Sequence, residues 1–351
     1  MYAYVQPCML SERNITGMAQ TLRIDVHAHH YPEEYLDLLA VQKSFDMTRR
    51  SDGRRVFRYH GVPVFWVPEP NPSIAERIAQ MDEVGVDAQV ISLSTPNVYV
   101  EDTQESIHMA SLTNDIYADI VRSHPKRIRA LASLPLGSVA ATLEEFEKSL
   151  SDPSFDGVVL GTNYRGEYLD SPRLEPVLSA LDGAGVPVML HPVPRREIEG
   201  GQDYGLFMSI DFPVDTTISV SRLIHSGTLD RHPNINWILS HGGGVLPFLQ
   251  GRLDMAYHSN PEASEFARNP PSEYMSKLYY DTACSGHWAA LDCLLDTVGV
   301  SQVLFGTDFP HRSAGASVDY VNARHFHDSS AHEAILGGNA LRLFPKLRNQ
   351  N

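Results

Sequence analysis

Two histidines one residue apart, His27 and His29, stand at the end of an apolar run from Leu22 to Val26. Alternate residues of an extended strand share a face, so this pair can close on a single ion. His191 follows a second run, Pro187-Val188-Met189-Leu190, and Asp308 follows a third, Val303-Leu304-Phe305-Gly306-Thr307. Imidazole nitrogens and carboxylate oxygens are what zinc and neighbouring divalent metals take as ligands. One such histidine by itself is most simply a hydrogen-bonded core or rim residue. Four ligand-type residues at the ends of strands point instead to a metal centre. His241 ends a further run in Ser240-His241-Gly242-Gly243-Gly244, where the glycines let a substrate approach the backbone. It is placed to act as acid or base, with Asp308 as the other catalytic candidate.

To bring these residues together the chain must return repeatedly to one rim. Apolar runs recur at Leu22 to Val26, Ala88 to Leu93, Ile128 to Leu134, Gly157 to Gly161, Pro187 to Leu190, Asn236 to Ser240, Lys277 to Asp281 and Val303 to Phe305. Helical patterns lie between them, at Ser73 to Val84, Gln104 to His124, Val139 to Leu150 and Leu174 to Ala184. Strand and helix in alternation imply a parallel sheet. No glycine-rich phosphate turn follows the first run, where an open doubly wound sheet would carry one. The fold expected is therefore an α/β protein of the (β/α)8 TIM-barrel type. Its active site belongs at the carboxyl ends of the strands.

The interval from Tyr31 to Pro72 interrupts this rhythm with Arg54-Arg55-Val56-Phe57-Arg58-Tyr59 and Val62-Pro63-Val64-Phe65-Trp66-Val67. The alternation predicts a small hairpin over the barrel mouth. The expected organisation is an arm at 1–21, a barrel over 22–345 with 31–72 inserted as a cap, and a tail at 346–351. At 351 residues the chain is within the range of one barrel with insertions.

A formal net charge of −15 sets the chain against nucleic acid and anionic membranes as partners. Cys8, Cys284 and Cys293 offer neither a disulfide framework nor a cysteine metal site, which fits a reducing cytoplasm. No run of about 20 apolar residues suggests a transmembrane helix.

Taken together, His27-Ala28-His29, the lone His191, Ser240-His241-Gly242-Gly243-Gly244 and Gly306-Thr307-Asp308-Phe309-Pro310 resemble the decarboxylase branch of the amidohydrolase superfamily, from about Arg23 to Phe344. The branch includes aminocarboxymuconate semialdehyde decarboxylase and the hydroxybenzoate decarboxylases. Asp211-Phe212-Pro213-Val214-Asp215-Thr216-Thr217, Ser226-Gly227-Thr228-Leu229 and Leu278-Tyr279-Tyr280-Asp281-Thr282-Ala283 are similar to 6-methylsalicylate decarboxylase-like proteins. The resemblance implies one divalent ion and no organic cofactor, zinc foremost with manganese or iron as alternatives. The ion would be held by His27, His29, His191 and Asp308, with His241 as the acid-base partner. Relatives with two metals place a modified lysine after the fourth strand, whereas Gly161-Thr162-Asn163-Tyr164 has none. A position matching Arg252 reaches a neighbouring subunit in some relatives, which motivates a homodimer.

The expected reaction is non-oxidative decarboxylation of a hydroxy-aromatic or unsaturated carboxylic acid. Arg54, Trp66, Phe212 and Arg252 are the candidate substrate-binding residues, the cap arginines Arg49, Arg50, Arg55 and Arg58 being further cations at hand. Phe65, Phe309 and Trp288 are added candidates for an aromatic wall. Surplus histidines, His287 and His311 above all, keep a second ion open, and with it an iron-dependent dinuclear oxygenase or a hydrolase. A metal-stabilised binding protein without turnover is the non-enzymatic alternative.

Overall fold

The computed structural model of the protein describes residues 22–195, 203–284, 286–324 and 329–348. The expected arm lies outside the described residues, as do 349–351 of the expected tail. Eight parallel strands follow one another in sequence order: Ile24–His29, Ala88–Ser92, Ile128–Ser133, Phe155–Gly161, Pro187–His191, Asn236–Leu239, Tyr279–Asp281 and Val303–Leu304. Backbone bonds from Val26 N to Phe305 O (2.9 Å) and from Asp308 N to His27 O (2.8 Å) bring the eighth strand back to the first. The result is a (β/α)8 barrel.

The strands are short and largely buried, and some of the returning helices start and stop on local signals. Ile74–Val84 begins on a reciprocal cap between Ser73 and Glu76 and ends on Gly85 in the left-handed region. Thr103–Ser123 begins on Asp102, whose carboxylate accepts from the amides of Gln104 and Glu105. A separate apolar cluster joins strand residues Val26, Val90, Leu131, Val159, Met189, Ile238 and Leu304 to Ala340, Leu343 and Phe344 near the chain's end. Among the described residues, no helix is long and apolar enough to cross a membrane.

The first strand runs to His29 rather than ending at Val26, so both histidines lie inside it. The reason is the neighbouring ladder: His29 N donates to Phe309 O at 2.6 Å, extending pairing beyond the apolar run. The stretch after this strand carries more than a hairpin. Arg54–Tyr59 and Val62–Pro68 pair antiparallel as expected, but Phe45–Arg49 adds a third strand and Glu33–Ala40 forms a helix. Phe57 and Phe65 stack with centroids 4.7 Å apart, and Phe65 stacks in turn on Tyr31 at 5.0 Å, fixing this sheet to the end of the first strand.

Candidate metal centre

His27, His29, His191 and Asp308 offer ligand atoms that all lie within 4.8 Å of one another. The three imidazoles meet edge-on, with ring centroids 4.7 to 5.2 Å apart. Each ring is aimed by a bond on its far side. His27 Nδ1 is 2.5 Å from Asp281 Oδ2, His29 Nδ1 is 3.4 Å from the Ser92 carbonyl, and His191 Nδ1 is 3.0 Å from the Pro192 carbonyl. All three Nε2 atoms therefore converge on the carboxylate of Asp308, whose Oδ1 is 3.2 Å from His29 Nε2 and 3.5 Å from His27 Nε2.

This arrangement fits a cation. His27 Nε2 and His29 Nε2 are 2.9 Å apart, a separation at which either one nitrogen donates a proton to the other or both lone pairs share a cation. His191 Nε2 is buried and has no hydrogen-bond partner among the described residues, although a buried acceptor ordinarily finds one. Two ligands each about 2.0–2.1 Å from a zinc ion stand at a separation of this order.

The electrostatics agree. Burial pulls His27 down, but Asp281, Asp308 and Asp25 outweigh it and raise its pKa to about 9. Burial lowers His29 to about 3 and holds His191 well below its usual value, so both remain neutral ligands. Burial favours the neutral acid at Asp308, yet hydrogen bonds from His241 and His29 and the field of His27 hold it well below the ordinary carboxylate range. Neutral imidazoles and an ionised carboxylate are the forms that bind metal, and the His27 proton is what a cation displaces.

Asp281, the last residue of the seventh strand, belongs to this centre although its type and spacing drew no role from the sequence. Its Oδ1 also accepts from Gly242 N (3.1 Å) and Ala283 N (3.0 Å), which locks the carboxylate against His27. The signal available was positional: a carboxylate ending a barrel strand, as His191 ends the fifth. Gly306 makes room for the contact, since a Cβ there would stand 2.9 Å from the Cβ atoms of both Asp281 and His27. Asp281→Asn is expected to weaken metal binding about 10- to 100-fold by removing the charge that orients His27. Competition against a chelator measures this, and an unchanged affinity would assign Asp281 to packing alone.

His241 follows the sixth strand with its Nε2 3.7 Å from Asp308 Oδ2, and its ring lies 5.1 Å from that of His27. Its Nδ1 has no protein partner among the described residues. Both His241 and Asp308 adopt left-handed backbone conformations, at φ 54° and 62°. Such conformations are uncommon outside glycine, although Asp and His tolerate them better than most, and they recur at functional sites.

A cavity of about 200 Å³ opens above the cluster, lined by His191, His241, Asp308, His311 and Arg312 together with Phe65, Trp66, Thr95 and Phe212. Of the residues expected as an aromatic wall, Trp66, Phe212 and Phe65 line this cavity. Other candidates are not brought here. Arg54 is exposed and lies 4.0 Å above the Trp66 ring. Arg49, Arg50, Arg55 and Arg58 pair with Glu69, Asp52, Glu33 and Asp46. Arg252 is exposed on the helix Leu246–Ser259, and Phe309 sits under the guanidinium of Arg77. Trp288 is 53% exposed, donating to the Tyr320 carbonyl. His287 is exposed at the start of the helix Trp288–Val298. His311 does reach the rim, 5.7 Å from His29 between ring centroids, but its Nε2 is 2.8 Å from Tyr31 Oη. Arg312, next to His311 in the chain, is also among the residues that line the cavity.

Residues 24–346 match the protein family described as amidohydrolase. A 2-amino-3-carboxymuconate-6-semialdehyde decarboxylase of Dictyostelium discoideum is 29% identical over 76% of this chain and 74% of its own. A 6-methylsalicylic acid decarboxylase of Penicillium expansum is 27% identical over 93% of this chain and 97% of its own. The crystal structure of 5-carboxyvanillate decarboxylase from Sphingomonas paucimobilis superposes with a TM-score of 0.81 at 24% identity, over 93% of this chain and 99% of that one.

Proposed function

The chain belongs to the amidohydrolase family, and from that premise we infer that it is a metal-dependent, non-oxidative decarboxylase of an aromatic carboxylic acid. The observation that carries this is the convergence of three imidazole Nε2 atoms and the Asp308 carboxylate under a small, aromatic-walled cavity. A volume of about 200 Å³ falls below the ~300–1,000 Å³ of sites for drug-sized ligands. A single-ring acid suits it. The decarboxylase relatives favour this reading over a hydrolase, an oxygenase or a protein without turnover.

His27, His29, His191 and Asp308 hold the ion, and with no lysine after the fourth strand and His311 engaged by Tyr31, one ion is the reading. Zinc or manganese suits the donor set. When bound, the cation supplies a Lewis acid for the substrate's carboxylate or neighbouring hydroxyl. Phe65, Trp66 and Phe212 press on the ring faces and exclude water. His241 delivers a proton to the ring carbon that bears the carboxylate. The bond between that carbon and the carboxylate then breaks, its electron pair returns to the ring, and carbon dioxide leaves. Asp308 stays ionised, with its Oδ2 3.7 Å from His241 Nε2.

Residues 22–345 form the barrel unit in this reading, with 31–72 as its cap. A homodimer is supported by the helix Leu246–Ser259, which leaves Phe248 (80% exposed) and Met255 (60% exposed) uncovered on the same helix as Arg252. A cytoplasmic location is supported by Cys284 and Cys293, which are free thiols.

The experiment is a panel of hydroxybenzoates and unsaturated carboxylic acids assayed for carbon dioxide release, with metal content and molar mass measured on the same sample. One equivalent of zinc or manganese and release from an aromatic acid are expected. Protein without a transition metal, or inert towards every acid after reloading, overturns the reading.

A further inference from the structure

We propose that Asp25, Gln89, Arg77 and Thr307 form a buried positioning network that fixes three of the four metal ligands in the geometry the ion needs. The assignment rests on the metal-centre reading above. None of the four residues belongs to the ligand set.

The network is built around Asp25, a fully buried carboxylate in the first strand. Four donors fill its two oxygens. Oδ1 accepts from His27 N at 3.1 Å and from Thr307 N at 3.0 Å, and Oδ2 accepts from Thr307 Oγ1 at 2.7 Å and from Gln89 Nε2 at 2.9 Å. Gln89, paired with Asp25 from the second strand, accepts through its amide oxygen from Arg77 Nη1 at 3.0 Å. Arg77 Nη2 in turn donates to the His29 carbonyl. No member is more than 3% exposed.

The chain of bonds meets the ligands at their backbone. Pairing between the first and second strands slips between Asp25 and Ala28, and the amide of His27, inside that slip, is the one Asp25 takes. Arg77 holds the His29 carbonyl. Asp308 is bracketed from both sides. Thr307 donates to Asp25 through its amide and its hydroxyl, and the same hydroxyl accepts from Phe309 N at 3.1 Å. Both neighbours of Asp308 are thereby tied to one carboxylate, while Asp308 itself sits at φ 62°. The Arg77 guanidinium, 4.7 Å from the Phe309 ring centroid, closes on the same turn. Folding alone is a weak reason for such a set, since apolar side chains of like volume often replace buried charges at no loss of stability. Metal ligands are a stronger one, because their distances to the ion hold within about 0.2 Å and their orientation depends on the groups behind them.

The test loads the full-length protein with cobalt(II), whose visible absorption reports ligand geometry, and measures affinity by competition against a chelator. The melting temperature of the metal-free protein is taken alongside. Thr307→Val removes the hydroxyl that joins Asp25 to Phe309 N, and is expected to weaken cobalt binding about 10- to 100-fold and to shift the spectrum. Thr307→Ser keeps a hydroxyl and restores both. Gln89→Met cuts the network at the second strand and lowers affinity by a smaller factor, which keeps the question answerable if Thr307→Val does not fold. Wild-type affinity and spectrum in the folded variants, with only the melting temperature lowered, overturn the proposal and assign the four residues to packing. A loss in Thr307→Ser equal to that in Thr307→Val overturns it as well. Wild-type protein that takes up no cobalt removes the metal reading itself, an outcome told apart because it needs no variant.

Discussion

Asp308→Asn is expected to lower turnover by at least ~10³-fold while the barrel stays folded, because the variant removes the one anionic ligand without removing a donor atom. The amide oxygen of asparagine still faces the cation, so metal affinity falls less than turnover does, by about 10- to 100-fold. Two effects act together on the rate. The ion gains a full unit of uncompensated charge, and His241 loses the carboxylate 3.7 Å from its Nε2. A loss of about 4 kcal/mol in transition-state stabilisation corresponds to a thousandfold. The backbone does not confound the test: Asp308 sits at φ 62°, and asparagine is among the few residues that accept this conformation readily. Metal content, melting temperature and turnover, taken on one preparation, separate the contributions. Full activity with normal metal content would remove Asp308 from the site.

The barrel could be read from the sequence because most of its strands show as short, largely apolar runs separated by helical patterns. Pro187–His191 and Asn236–Leu239 are buried on both faces, apart from Asn236, and show as nearly continuous apolar stretches. The metal ligands were legible for a related reason. A ligand at the end of a strand needs only its position along the chain, and His27, His29, His191 and Asp308 each follow or close such a run. The cap was legible in part. Arg54–Tyr59 and Val62–Pro68 alternate over six and seven residues, whereas in Phe45–Arg49 only Phe45 is buried and Met47 partly so, an alternation too brief to mark a strand.

What stayed hidden depends on where a side chain turns after its strand has ended. His287 and His311 both follow strands, yet one is exposed at the start of a helix and the other lies against Tyr31 and His29 beside the cluster. The arginines show the same limit. Five lie in the cap sequence, and an inward-facing cation was expected among them, but acidic neighbours claim four and Trp66 takes Arg54. Asp281 is the opposite case, a residue at a telling position whose role depends on a contact across 254 residues of chain.

His241 carries the second large effect. Replacing it by alanine is expected to cost ~10²- to 10⁴-fold in rate with the ion retained, the usual worth of a positioned general acid or base. Alanine brings a side effect, since His241 sits at φ 54° and a residue with a Cβ and no polar side chain is strained there. His241→Asn avoids this, because asparagine tolerates the left-handed region and leaves no group that titrates in the required range. The two variants should therefore agree in rate and differ in stability. Agreement assigns the loss to the missing proton rather than to a shifted turn. Reaction in deuterium oxide adds a check on the step itself: wild-type product should carry one deuterium at the carbon that lost carbon dioxide. Added imidazole should restore part of the rate to His241→Ala, where the truncated side chain leaves room beside Asp308. An unchanged rate in both variants would leave His241 a purely structural residue of the glycine turn, and the proton would have to come from another group facing the cavity.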